Sequence, residues 1–142
     1  MSQALGFDVQ LPVPFEAAVG EVKNALKQEG FGVLTEIDLR AAFREKLGRE
    51  FRPYLILGAC NPPLAFTAIT ANPEVGLLLP CNVTVESDGE ERTMVRLTNP
   101  EALLSSSALA GASELATVAR DARDRMARVA KALDTRNRWK LS

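Results

Sequence analysis

The chain has 142 residues, of which 46% are hydrophobic and 25% are charged, a balance typical of one globular domain with its own core. Its 17 basic and 18 acidic residues leave a net charge of −1, which gives no long-range attraction for nucleic acid. The sequence contains no histidine, so a histidine-based catalytic triad or zinc site cannot be built within one chain.

Hydropathy and cysteine content give a first expectation of the environment. No apolar run reaches about 18 residues, and the first residues lack a basic segment followed by an apolar one. We therefore expect a cytoplasmic protein that does not enter a membrane. In a reducing compartment Cys60 and Cys81 are expected to be free thiols, and on their own they do not supply the four ligands that zinc usually takes. We predict no metal and no cofactor.

The first third of the chain predicts two strands and two helices. Alternating apolar residues over positions 5–11 predict a strand, and an apolar stripe from Pro14 to Gly30 predicts a helix. Residues 31–37 predict a second strand. Asp38 is a candidate cap for a second helix that ends at Gly48.

The central third predicts a hairpin and a further helix. Residues 54–59 read as an internal strand, and Asn61 caps a predicted helix over residues 62–71. Residues 75–86 predict a long strand interrupted at Pro80, which cannot donate a backbone hydrogen bond. Asp88-Gly89 is a hairpin signal, so residues 92–97 should return antiparallel to that strand.

The last third predicts a short helix, a loop and a long helix. Asn99-Pro100 signals a helix to Leu104, and the serines and glycine of residues 105–111 predict a loop or a weak helix. A final helix from Ser113 carries a narrow apolar seam made of Leu115, Ala119, Ala122, Met126, Val129 and Leu133. That seam packs either on the protein's own sheet or across a dimer, and residues 136–142 are predicted to be a loose tail.

These elements together predict the fold class. We expect a single α+β domain over residues 1–142, built in two layers. One layer is an antiparallel or mixed sheet of about five strands. The other consists of helices packed on that sheet, including the long C-terminal helix.

The two cysteines are the first candidates for chemistry. Cys60 ends a predicted strand directly before a helix, where the helix dipole and free amides favour a thiolate. Pro62 and Pro63 remove two of those amides and weaken the effect. Cys60 is equally explained as a small buried apolar residue. Cys81 could form a redox pair with Cys60 if their Cα atoms lie within about 7 Å.

Polar residues near the cysteines are candidate ligand contacts. Asn61 and Asn82 each follow a cysteine and can hydrogen-bond a ligand, although helix capping is the simpler role for Asn61. Arg52 and Tyr54 lie close in sequence to Cys60, near the start of the predicted strand, and are candidate anion and hydrogen-bond contacts. Glu36 is a candidate carboxylate, whereas its neighbour Asp38 is explained by capping.

The order of three segments resembles that of the small bacterial and archaeal family called domain of unknown function 302. The segments are GFGVLTEID over residues 30–38, FRPYLILGACNPP over residues 51–63 and GLLLPCNV over residues 76–83. The resemblance implies a compact α+β fold with helices on an antiparallel or mixed sheet, and a homodimer, but no activity. Its motif positions map onto Glu36, Asp38, Arg52, Cys60, Asn61, Pro62, Cys81 and Asn82.

Two functional hypotheses follow. The first is a homodimeric ligand-binding or regulatory module with a pocket for a small molecule near the Cys60 and Cys81 segments and Asn82. The alternative is a thiol-dependent redox or sulfur-transfer protein, with Cys60 as nucleophile and Cys81 as its partner. The sequence leaves open whether the protein is an enzyme.

Overall fold

The sheet of this protein is fully antiparallel. The structure, a computed structural model, describes residues 4–105, 109 and 113–137. Within them, the strand order is β1-β5-β4-β3-β2. The strands are β1 (Gly6–Leu11), β2 (Gly32–Asp38), β3 (Tyr54–Cys60), β4 (Cys81–Ser87) and β5 (Thr93–Thr98). The predicted α+β fold with a sheet of five strands and a long C-terminal helix is confirmed.

Polar caps define most helix starts. The helices are α1 (Phe15–Gln28), α2 (Leu39–Leu47), α3 (Pro62–Ala71), a 3₁₀ helix (Pro73–Leu78), α4 (Pro100–Leu104) and α5 (Ser113–Asn137). The side chains of Asp38, Asn61 and Asn99 each accept a backbone N–H from the first turn of α2, α3 and α4. Gly48 ends α2 in the left-handed region, at φ 63°. None of the described helices is both long and apolar enough to cross a lipid bilayer.

Helix α5 packs inside the chain along its whole length. Toward its C-terminus, Met126, Val129 and Leu133 belong to the main core between the sheet and α1. Toward its N-terminus, Leu115 and Ala119 belong to a second cluster with α3, the 3₁₀ helix and α4. All six seam residues are buried, so the alternative that the seam pairs across a dimer is wrong.

Two of the predicted boundaries are wrong. The strand predicted over residues 75–86 begins only at Cys81, because Asn72 caps the 3₁₀ helix at Glu74 and turns Val75 into the second cluster. The tail predicted over residues 136–142 begins too early, since α5 continues through Asn137. Residues 138–142 lie outside the described residues, as does most of the predicted loop.

The face of the sheet opposite α1 and α5 carries most of the polar side chains of β1, β4 and β5. Successive side chains of a strand point to opposite faces, so apolar residues such as Val9 and Val95 face the core while their neighbours face away. The register aligns Asp8 with Arg96, Arg96 with Thr84 and Thr84 with Ile56 in one row across four strands. We call this side, away from α1 and α5, the open face.

Candidate ligand-binding site

The register of β3 and β4 offsets the two cysteines by one residue and turns Asn82 to the face opposite Cys81. Ala59 lies directly opposite Cys81, so Cys60 lies one residue further along β3. Because neighbouring side chains alternate between faces, the two thiols are not a directly opposed cross-strand pair. Both are free cysteines. For the same reason Asn82 faces away from Cys81, and the two do not line one pocket.

The space beside the cysteines is a small apolar crevice. Cys60 and Cys81 line it together with apolar residues of α3 and α5 such as Leu64, Ala68 and Val118. Its volume of about 30 Å³ holds one water-sized probe, far below the size of a metabolite site. Burial raises the pKa of the Cys81 thiol to about 11, and the nearby Cys60 adds to the shift. Cys81 is therefore a protonated thiol at neutral pH.

Alkylation should distinguish the two thiols. Because Cys81 is buried and protonated, iodoacetamide at pH 7.5 should label the half-buried Cys60 first, and Cys81 should become reactive only as the pH approaches 11. Mass spectrometry of the labelled Cys60→Ser and Cys81→Ser variants, each retaining one thiol, measures the two rates separately. Rapid neutral-pH labelling of the Cys60→Ser variant would contradict this expectation and favour the thiol-dependent hypothesis.

Asn61 and Glu36 are engaged in structural contacts. The buried Asn61 accepts a hydrogen bond from the Leu64 backbone N–H at 3.3 Å and donates one to the Glu29 carbonyl at 3.4 Å. Glu36 forms an ion pair of 2.9 Å with Lys23 of α1. Both predicted ligand contacts thus connect elements of the fold, and neither lies on the open face.

Arg52 belongs to a charged cluster on the open face. Glu86 is only 8% exposed and accepts hydrogen bonds from Arg96 at 2.6 Å and from Arg52 at 2.5 Å. The hydrogen bond from Arg96, reinforced by Arg52, lowers the pKa of Glu86 despite its burial. Glu86 in turn raises the pKa of Arg96. The Arg52 guanidinium also lies 4.4 Å from the centre of the Phe51 ring.

The open face contains a groove of about 480 Å³, which we call the sheet groove. Its polar lining comprises Asp8 of β1, Tyr54 of β3, Asn82 and Thr84 of β4, and Arg96 and Thr98 of β5. Tyr54 and Asn82 were predicted as ligand contacts, whereas Asp8, Thr84 and Arg96 were missed. Their signal in the sequence is the polar half of the alternating pattern in β1, β4 and β5.

Four polar side chains of the sheet groove are without hydrogen bonds. Among the described residues, no group is hydrogen-bonded to the Asp8 carboxylate, the Tyr54 hydroxyl, the Asn82 carboxamide or the Thr84 hydroxyl. The Thr84 oxygen is also buried. Native proteins usually satisfy buried polar atoms, so the Thr84 oxygen is the atom here that lacks an expected partner, whereas the other three groups reach water and are free to hydrogen-bond a ligand. The described residues hold no cluster of three or more histidine, cysteine or acidic side chains for a metal.

The fold and the groove define an α+β protein whose sheet packs helices on one face and carries a groove of mixed polar and apolar lining on the other. The model of the family Domain of unknown function DUF302 matches residues 7–133, and the chain belongs to that family. The crystal structure of an uncharacterized conserved DUF302 protein from Bacillus stearothermophilus is similar, with 28% sequence identity and a TM-score of 0.78. The match covers 96% of this chain and 100% of that one. No functionally curated protein matches the chain.

Proposed function

We propose that this protein is a binding or regulatory module that holds a small polar molecule in the sheet groove. The observation that supports this function is the group of four polar side chains in the groove that make no hydrogen bonds within the described residues. Such groups lose stabilisation when water leaves them, unless a ligand replaces the water with new hydrogen bonds. A ligand that matches these groups therefore gains both affinity and orientation.

The sheet groove suits this role better than the crevice at the cysteines. Its volume of about 480 Å³ lies within the range of small-molecule sites, roughly 300–1,000 Å³. Its contacts project from hydrogen-bonded strands, which hold them in fixed positions before a ligand arrives. The crevice has a mostly apolar lining, in which Asn61 already caps α3, and it has a fraction of that volume. The proposed site thus keeps Tyr54 and Asn82, two ligand contacts that were predicted from the sequence, and does not include the cysteines.

The proposal includes the homodimer that the family resemblance implies. Among the described strands, β2 is an edge strand that is hydrogen-bonded only to β3. It exposes Leu34 and Ile37, two large apolar side chains on a strand that has a free backbone edge. Exposed apolar edge strands are common sites of pairing with another chain, which supports β2 as the contact between two copies.

Thr84→Val tests ligand binding with little change in shape. Because the Thr84 hydroxyl has no partner in the described protein, its removal should leave the melting temperature unchanged or slightly higher. A ligand found by calorimetric screening of small polar metabolites should bind this variant about tenfold more weakly, as expected for one lost hydrogen bond of about 1.4 kcal/mol. Asn82→Ala should weaken binding similarly.

The matched control is Thr70→Val, which removes an exposed hydroxyl from α3, away from the groove. The ligand should bind this variant and the wild type equally. A screen without a ligand, or a ligand that binds Thr84→Val and wild type alike, would count against the proposed site.

A further inference from the structure

The charges of the sheet groove select among polar ligands. Asp8 and Arg96 are directly opposite each other in the register of β1 and β5, a position in which Cβ atoms are about 5 Å apart. They nevertheless form no ion pair, because Arg96 directs its Nη1 to Glu86 at 2.6 Å. The Asp8 carboxylate therefore has no ion-pair partner within the described part of the chain.

Arg96 keeps donors for a ligand. A guanidinium has five N–H groups, and the contact with Glu86 involves only Nη1. Within the described residues, Nε and Nη2 of Arg96 donate to no other group, and the side chain is 45% exposed. The groove thus presents a free carboxylate and the free edge of a guanidinium on adjacent strands.

The four charged side chains at this place balance each other. Asp8 and Glu86 carry negative charge, and Arg52 and Arg96 carry positive charge. A simple anion would meet repulsion from Asp8, and a simple cation would meet repulsion from Arg96. A ligand that carries both charges close together, with no net charge, satisfies both groups at once.

We infer that the ligand of the sheet groove is a small zwitterion of the amino acid type. Its ammonium group contacts Asp8, and its carboxylate contacts the free edge of Arg96. The neutral groups of Tyr54, Asn82 and Thr84 then hydrogen-bond the polar part of its side chain. This inference rests on the proposed function, because it specifies the ligand class of the same groove.

Calorimetric titration with free L-amino acids and their derivatives tests the inference. At least one free amino acid should bind the wild-type protein. Its N-acetyl derivative, which lacks the ammonium, and its carboxamide, which lacks the carboxylate, should each bind at least tenfold more weakly. These measurements on the unaltered chain need no variant.

Asp8→Asn provides the matching change in the protein. It should weaken binding of the free amino acid at least tenfold, but weaken binding of the N-acetyl derivative much less, because that compound has no ammonium to lose. Asp8 is exposed, so the variant should fold normally. The control is Glu90→Gln, which removes an exposed carboxylate outside the groove and should leave binding unchanged.

The outcomes separate this inference from the proposed function. If no amino acid binds, but another polar metabolite binds in a manner that depends on Thr84 and Asn82, the inference of a zwitterionic ligand is overturned. The proposal that the sheet groove is the binding site then still stands. Equal binding of an amino acid and its N-acetyl derivative would also overturn it. If no polar compound binds in a Thr84-dependent manner, both the ligand class and the proposed function fail.

Discussion

Met126→Lys should strongly destabilise the protein. Met126 is 0% exposed and lies in the main core, where α5 packs on the sheet among aliphatic side chains. A lysine there is buried without a carboxylate partner, so the free energy of unfolding should fall by about 4 kcal/mol or more. Small domains are stable by only about 5–15 kcal/mol. Urea titration followed by circular dichroism measures the loss.

The control for this substitution lies on the exposed side of the same helix. Ala116→Lys introduces the same charge at an exposed position and should change stability by no more than about 0.5 kcal/mol. A Met126→Lys protein that stays folded but changes from dimer to monomer would contradict the buried position of the α5 seam.

Light scattering of a Leu34→Lys variant tests whether two copies of the chain pair through β2. Leu34 is exposed in the chain, so this variant should stay folded. If two copies pair through β2, the molar mass should fall toward that of one chain, 15.4 kDa. A wild-type molar mass near that of one chain would contradict the homodimer, and a dimer mass that the variant leaves unchanged would place the contact between copies elsewhere.

Glu86→Gln should lower stability, and its effect should depend on pH. The substitution replaces a nearly buried carboxylate that accepts hydrogen bonds from Arg52 and Arg96. Charge-assisted hydrogen bonds contribute about 1.5–3 kcal/mol each. Because both arginines are about half exposed, water replaces part of this interaction in the variant. We therefore expect a loss of about 2 kcal/mol at pH 7, measured by urea titration.

The direction of the pH dependence follows from the pKa of Glu86, which is lowered in the folded protein. The stability that this carboxylate contributes is fully present above the pKa of the unfolded chain, about 4.5, and is lost as the pH falls through the lower folded value. The wild-type protein should thus keep its advantage over Glu86→Gln down to about pH 4.5 and lose it as the pH falls further.

Glu50→Gln is the matched control, because Glu50 also pairs with an arginine, Arg44, but at the exposed surface. Exposed ion pairs contribute little, so this variant should retain wild-type stability at neutral pH. Equal effects of the Glu86 and Glu50 substitutions would show that burial of the Glu86 cluster contributes nothing.

The helix boundaries could be predicted where a short signal determines them. Asn61-Pro62 and Asn99-Pro100 combine a side chain that caps the first turn with a residue whose φ already fits a helix. The 3₁₀ helix was missed because its leucines and valine fit a strand equally well. The cap from Asn72, which precedes Pro73 in the same pattern, and the burial of Val75 in the second cluster together select the helical form.

The site was harder to predict than the fold. The cysteines were predicted as site residues because thiols are reactive, yet their environment depends on how β3 and β4 align. A shift of one residue in that register would exchange the faces of Cys81 and Asn82. Asp8 and Arg96 stand far apart in the sequence, and only the pairing of β1 with β5 brings them together.

The pairing of β1 with β5 also affects the order in which the chain can fold. The first strand hydrogen-bonds to Thr93–Thr98, so during synthesis this pairing cannot form until most of the polypeptide has left the ribosome. The core closes later still, when α5 arrives to cover β1. Such high contact order makes folding slow, and it leaves the apolar side of the nascent first strand exposed to chaperones in the meantime.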